Sequence, residues 1–404
     1  TAAKAGPTKA ERAWLKKYLE IDSDREAERL LRKYPGGKPS PARVKALLAA
    51  GFERESLEPG MHHVTFEAEG ETWKYTVSIP RGYDGKKVFP VVIDAGHMTF
   101  RDKSDDKAAV ALRNYLRQVR DPVVGVRPRI FDKLAADGRY DRLRKQGKGV
   151  RNQLAARLFR DLLRTLRVRY AVDPDRIYIT GISMSGWWAW RLGADLPGEL
   201  AGIVPISAVT RQVWFGLENF RMLPVFILHA RDDRTCFFSQ AGTTLERLEK
   251  LGAPVGHQFL DRGGHIAPFN HFGKAWKWIS GKKRDTTPRE IHLRLQRSGL
   301  GPAHWIEVVS LKKGVRYQAE KPTAELDATI EEGNRIEITT RNVRYFRVHL
   351  SSDLVDLKRA VRIKVNGRTV HHRHVKPTGR TALEEVRNRR DTGVFYPAVV
   401  GVRG

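Results

Sequence analysis

Residues 175–186 read Asp-Arg-Ile-Tyr-Ile-Thr-Gly-Ile-Ser-Met-Ser-Gly: a short apolar run, a glycine, a serine, and then a tryptophan-rich segment. Ile177, Tyr178 and Ile179 suit a buried strand, Gly181 interrupts it, and Ser183 follows two residues later. Trp187, Trp188 and Trp190 then open a helix-like pattern. A sharp strand-to-helix turn of this kind lifts a serine hydroxyl above the edge of a sheet. It also leaves N–H groups of the helix N-terminus free to face a developing negative charge. The usual spacing is Gly-x-Ser-x-Gly, whereas here Ser185 stands at the second glycine position and Gly186 comes next. Serine is small enough for strand and helix to approach each other.

Two downstream stretches complete the constellation. Pro224-Val-Phe-Ile-Leu-His229 is an apolar run that leads to Asp232 and Asp233, and Phe259-Leu-Asp-Arg leads to Gly263-Gly264-His265. Each group sits just after a predicted strand, at the edge where open α/β sheets carry their active groups. A lone histidine is ordinarily structural, and a lone Asp-Asp pair is ordinarily a loop or cap. Serine, acid and histidine in this order, each at a strand end, point instead to a nucleophile, an orienting acid and a base.

Working outward, Trp73, Tyr75, Val77 and Ile79 alternate with polar residues as in a half-buried strand. Val88–Ile93 is a continuous apolar run suited to a fully buried parallel strand, and further runs follow at Val123–Val126, Gly202–Ile206 and Val225–Leu228. Helical patterns separate several of them, the clearest being Leu154, Leu158, Leu162, Leu163 and Leu166. This alternation predicts an α/β fold, a mostly parallel sheet with helices on both faces, over residues 61–281. Residues 1–60 predict short helices, with Ser40-Pro41 starting one and Gly51 ending it. Residues 282–289 predict a basic linker. Over 290–404 the helical pattern stops, and alternating runs with the Asn366-Gly367 turn signal predict an accessory β-sandwich.

At 404 residues the chain is long enough for two or three domains. Its formal charge is +28, and the excess is spread over all regions rather than gathered on one element, which argues against a nucleic-acid partner. The densest run lies between Arg139 and Arg169, where eleven Lys/Arg face only Asp141 and Asp161. It reads first as a solvated surface and second as an attraction to an anionic substrate or polymer. No stretch is apolar and long enough to cross a membrane. Cys236 is the only cysteine, so no intramolecular disulfide can form, and its place beside Asp233 suits a small buried residue.

The phrases Tyr75-Thr-Val-Ser-Ile-Pro-Arg-Gly-Tyr83, Val172-Asp-Pro-Asp-Arg-Ile-Tyr178, the Ser183 turn and Gly263-Gly264-His265 resemble bacterial α/β-hydrolases of the phospholipase/carboxylesterase, polyhydroxybutyrate-depolymerase and feruloyl-esterase type. The resemblance covers roughly residues 70–280. It implies Ser183 as nucleophile, His265 as base and Asp233 as acid, four residues after the strand-end His229, with Asp232 the competing carboxylate. It also implies an oxyanion hole. Met184 N–H, directly after the nucleophile, is the first expected donor; the second is His97 N–H, or that of Met98, since Asp94-Ala95-Gly96-His97 stands where the family has a His-Gly-Gly-like loop.

The function expected is serine carboxylic-ester hydrolysis through an acyl-enzyme, on a substrate that extends to polymeric or anionic esters, with no cofactor and an extracytoplasmic setting. A serine peptidase resembling the prolyl-oligopeptidase group is the rival enzyme. It ranks second because the sixty residues before the core are far short of a propeller. A catalytically inactive basic binding protein is the rival of another class. Trp187, Trp188 and Trp214 are candidate substrate contacts, set against core packing for the first two. His371, His372 and His374 resemble a metal tract but read better as the continuation of a hairpin strand.

Overall fold

The computed structural model describes residues 6–96, 105–139, 142, 148–315 and 321–404. Its centre is an eight-stranded sheet in the order β1-β2-β4-β3-β5-β6-β7-β8. The strands are β1 (Gly60–Ala68), β2 (Glu71–Ile79), β3 (Phe89–Asp94), β4 (Val124–Pro128), β5 (Val172–Ile182), β6 (Gly202–Ile206), β7 (Val225–Ala230) and β8 (Val255–Leu260). β1 and β2 pair antiparallel, and β2 joins β4 antiparallel; from β4 across to β8 every pairing is parallel. The central strands read as unbroken apolar runs because they are covered on both faces, and every residue of β3, β6 and β7 is buried. This is the α/β-hydrolase architecture.

The covering helices follow the leucine spacing. Leu158, Leu162, Leu163 and Leu166 of α6 (Lys148–Arg169) are wholly buried on one face of the sheet, together with α7 (Met184–Asp195). On the other face α9 (Phe272–Ile279) packs Trp276 and Ile279 against Tyr178 and Val204. α4 (Asp105–Leu116), α5 (Ile130–Ala136) and α8 (Phe238–Lys250) are further helices of this part. Among the described residues no helix is long and apolar enough to cross a membrane.

The first sixty residues form α1 (Lys9–Glu20), α2 (Asp24–Leu31) and α3 (Pro41–Ala50). Ser40 caps α3 by accepting the Arg43 N–H, and Gly51 closes it at φ +62°. The C-terminal part is two sheets facing one core. One has the order β10-β11-β14-β17 and the other β16-β15-β13-β12-β9. Their ranges are β9 (Glu290–Leu295), β10 (Pro302–Ala303), β11 (Ile306–Leu311), β12 (Ala324–Glu331), β13 (Arg335–Arg341), β14 (Val343–Leu350), β15 (Val361–Val365), β16 (Arg368–Arg373) and β17 (Ala398–Arg403). All pairs are antiparallel except β13–β15.

Two expectations need correction here. The helical pattern does not stop at residue 290, because α10 spans Gly379–Arg389, with Thr378 as its N-cap. Ala382, Leu383 and Val386 bury its inner face among Leu15, Leu19, Val44 and Leu47, so the N-terminal helices and α10 share one small core. The segment 282–289 is also more than a solvated linker. Arg284 is buried there, with Nη1 2.7 Å from Asp391 and Nε 2.9 Å from Asp175. Arg167 of α6 lies 3.4 Å from the same Asp391 and 2.6 Å from Glu199. Burial and these two guanidinium groups act in opposite directions on Asp391, and the guanidinium groups hold its carboxyl far below the usual range. The sheet and the C-terminal part are thereby joined by buried charges that need one another.

Candidate active site

β5 rises to Ile182, and the chain then turns sharply at Ser183 into α7. Ser183 has φ 57° and ψ −117°, a conformation that costs a non-glycine residue roughly 1–3 kcal/mol. The turn is held from both sides: Ser183 N–H donates to Ile206 O at 2.8 Å, and Trp187 N–H donates to Ser183 O at 2.9 Å. Its tightness explains which small residues are needed. A Cβ at Gly181 would lie 2.7 Å from the Ser185 Cβ, and one at Gly186 would lie 2.7 Å from Gly181 O and 2.8 Å from the Ala208 Cβ. Position 185 has room, and the Ser185 hydroxyl turns back to donate to Ile182 O at 2.8 Å. The departure from the usual spacing is therefore harmless: Gly181 and Gly186 supply the close approach.

Met184 is the first residue of α7, so its N–H has no acceptor within the helix and is free for a ligand. His97 and Met98, the expected sources of a second donor, lie outside the described residues. The path to them is fixed as far as Gly96, since Ala95 N–H donates to Thr180 O at 2.9 Å and buried Asp94 pairs with Arg127.

The acid and the histidine sit at the ends of β7 and β8. His265 Nδ1 lies 2.8 Å from Asp233 Oδ2. Because a carboxylate accepts, Nδ1 carries the proton and Nε2 is left as the acceptor. The Asp233 side chain is fully buried, whereas that of His265 is 17% exposed and can be reached by a small molecule. Asp233 Oδ1 accepts N–H groups from Thr235 at 2.8 Å and Cys236 at 2.9 Å. Burial opposes ionisation of Asp233, but the N–H of Cys236, the His265 imidazole and the N–H of Thr235 outweigh it and hold the carboxyl below its usual range.

The neighbouring carboxylate does different work. Asp232 accepts N–H groups from Gly264 at 2.8 Å and Gly263 at 3.1 Å, tying down the loop that carries His265. The two acids the sequence left in competition thus have separate tasks, and only Asp233 touches the imidazole. His229 is buried at the end of β7, donates Nε2–H to Cys236 O at 2.7 Å, and is pushed towards the neutral form by burial.

Cys236 links the parts. Its N–H binds Asp233, and its thiol is pushed up by burial and by Asp233, with the Ser183 hydroxyl acting in the opposite direction. Ser183, Asp233 and His265 follow the ends of the parallel strands β5, β7 and β8, on the same edge of the sheet. Among the described residues the Ser183 hydroxyl has no hydrogen bond to His265.

The aromatic candidates fall elsewhere. Trp187 and Trp188 are 3% and 1% exposed, and Trp188 stacks on Phe131 at 4.1 Å. They lie in the core: α7 is sandwiched between the sheet and its neighbours, and its large side chains fill that space. Trp214 is half-buried, donates Nε1–H to Thr244 Oγ1 at 2.9 Å and lies under the Arg247 guanidinium, which pins it to α8. His371 and His372 lie on the strand β16, with His374 just beyond it.

No family model and no curated protein matches the chain. Solved structures do. A thermostable esterase aligns over 55% of this chain and 63% of its own, with 18% identity and a TM-score of 0.43. An acetyl ester-xyloside bifunctional hydrolase from Caldicellulosiruptor lactoaceticus aligns over 55% and 97%, with 15% identity and a TM-score of 0.41. The acylaminoacyl peptidase of Pyrococcus horikoshii aligns over 57% and 43%, with 15% identity and a TM-score of 0.40. The chain thus spans less than two thirds of the thermostable esterase and of the peptidase. Likenesses this distant add nothing to what the strand order and the Ser183 turn already establish.

Proposed function

We propose that the chain is a serine hydrolase that cleaves carboxylic esters, with Ser183 as nucleophile, His265 as base and Asp233 as the acid that orients it. The observation that carries this reading is the Asp233–His265 pair at 2.8 Å, on the same sheet edge as a strained serine at a strand-to-helix turn. With Nδ1–H committed to Asp233, His265 Nε2 takes the Ser183 proton as Oγ attacks the ester carbonyl. Asp233 stabilises the imidazolium that forms. The N–H of Met184 stabilises the oxyanion together with a second donor from the loop after β3; such donors are worth about 3–4 kcal/mol each. The imidazolium returns its proton to the leaving alcohol, and water, activated by the same base, releases the acid. Hydrogen bonds between nucleophile and base are often loose before substrate binds, so the lack of one between Ser183 and His265 among the described residues is compatible with this path.

The test is hydrolysis of para-nitrophenyl acetate beside a peptide anilide, by the wild type and by Ser183→Ala. The proposal expects ester turnover that the variant loses while remaining folded. Cleavage of the anilide alone would make the enzyme a peptidase, and Ser183→Ala activity within about tenfold of wild type would remove Ser183 from the mechanism.

A further inference from the structure

Single apolar side chains scattered over a surface are ordinary, whereas several gathered at one place need a reason. Val88, Val110 and Val370 are of the first kind, one before β3, one on α4 and one on β16. The other large apolar side chains left exposed among the described residues are Met184, Phe237 and Ile266, and these are not scattered. Met184 follows Ser183 directly and is 40% exposed; Ile266 follows His265 directly and is 64% exposed. Phe237, also 64% exposed, follows Cys236, whose N–H donates to Asp233 Oδ1 at 2.9 Å. All three therefore stand on the segments that carry the candidate nucleophile, acid and base, at one edge of the sheet.

Phe237 serves neither core nor cap. It occupies the N-cap of α8 without a side-chain hydrogen bond, at a position where a serine would accept an N–H of the first turn. Its neighbour Phe238 does the packing. The Phe238 ring meets Phe259 edge-on with centroids 4.8 Å apart, and the Arg231 guanidinium lies over it. Charge does not define this edge either. Residues 231–237 and 261–266 hold Arg231, Arg234 and Arg262 against Asp232, Asp233 and Asp261, so the two segments are formally neutral in a chain of +28.

We propose that Met184, Phe237 and Ile266 form an apolar rim that selects esters whose chain beside the scissile bond is apolar and uncharged. The inference rests on the ester-hydrolase reading and names its substrate class. Removing the rim and the substrate's methylenes from water favours binding by an amount that grows with chain length, about two- to fourfold per methylene. The same contact serves a chain on the acyl side or on the alcohol side.

The test uses the full chain and two series, each kept below the concentration at which the ester aggregates. One is para-nitrophenyl acetate, butyrate and octanoate; the other is ethyl, butyl and octyl acetate, followed by pH-stat. A para-nitrophenyl ester whose acyl chain matches octanoate in length but ends in a carboxylate is the anionic control. kcat/KM is expected to rise at least about tenfold along one series, which identifies the side, and the anionic control to fall back to about the acetate level. In the double variant Phe237→Ser with Ile266→Ser, that rise is expected to shrink at least about fivefold. Its thermal unfolding should come no lower than wild type, because two exposed side chains are lost and a cap acceptor is gained. A flat wild-type profile, with acetate turnover still dependent on Ser183, would overturn the rim and leave the ester-hydrolase reading standing. So would preference for the anionic control, or an unchanged profile in the double variant. A dimer seen by sedimentation that the double variant dissolves, its profile unchanged, would make this face a contact between copies instead. No turnover of any ester in either series would overturn both readings.

Discussion

Asp233→Asn is the substitution whose outcome the geometry determines most closely. The two carboxylate oxygens face different partners: Oδ1 accepts the Thr235 and Cys236 N–H groups, and Oδ2 faces His265 Nδ1. An asparagine has one acceptor and one donor end. Two backbone donors at 2.8 and 2.9 Å force its oxygen to the Oδ1 position. Its NH2 then points at His265 Nδ1, which must accept, so the ring proton moves to Nε2 and the base can no longer take the serine proton. Wrong-tautomer variants of this kind lose about 10⁴-fold in turnover, or roughly 5–6 kcal/mol of transition-state stabilisation. The fold should survive, because the variant keeps the loop's backbone hydrogen bonds. The assay is kcat and kcat/KM on para-nitrophenyl acetate beside a thermal unfolding curve. Asp232→Asn should do less, since it weakens a loop tether without touching the imidazole. Turnover of Asp233→Asn within about tenfold of wild type, or a deeper loss in Asp232→Asn, would refute the assignment of the acid.

Gly186→Ala should abolish ester hydrolysis and destabilise the chain, because its Cβ would press on Gly181 O and Ala208, whereas Ser185→Gly should leave turnover within about tenfold; equal effects would contradict the packing account of the turn. Glu11, bonded to Arg43, Tyr34 and the Thr8 N-cap, has its pKa lowered from 4.5 to about 2, Arg43 being the largest cause. A depressed folded pKa confers stability that is complete above the unfolded value and is lost as pH falls through the folded one. Acid unfolding followed by circular dichroism should therefore show a loss between pH 4.5 and about 2 that Glu11→Gln shifts, and an unchanged acid profile would contradict this. Truncation after Gly281 removes Arg284, Asp391, the Gln296 amide that binds Arg191 at 2.7 Å and the Leu300 contribution to the core. The truncated chain should aggregate or lose small-ester activity, and a soluble, fully active product would show that residues 282–404 are a detachable module.

Much of this was legible in the sequence because it depends on short-range pattern. The unbroken apolar runs of β3, β6 and β7 follow from two covered faces, and the Ser183, Asp233 and His265 positions follow from their places just beyond strands. What the sequence hid depends on partners distant along the chain. α10 looks weakly helical alone, since Ala382, Leu383 and Val386 acquire meaning only against α1 and α3, more than three hundred residues earlier. Arg284 sits in a run of Lys282-Lys283-Arg284 that resembles a solvated linker, and only Asp175 and Asp391 reveal it as buried. The division of labour between Asp232 and Asp233 depends on which one faces the imidazole, a matter of loop geometry that adjacent identical residues cannot express. The tryptophans of α7 could be read either way until the helix was placed under the sheet's cover.

An activated nucleophile at Ser183 would react with a fluorophosphonate whatever its natural substrate. Incubation of the full chain with a fluorophosphonate probe, followed by peptide mass spectrometry, tests it without any assumption about the substrate. A single covalent adduct on Ser183 is expected, lost in Ser183→Ala and strongly slowed in Asp233→Asn. An intact chain that stays unlabelled, or an adduct carried by another residue and retained in Ser183→Ala, would contradict it.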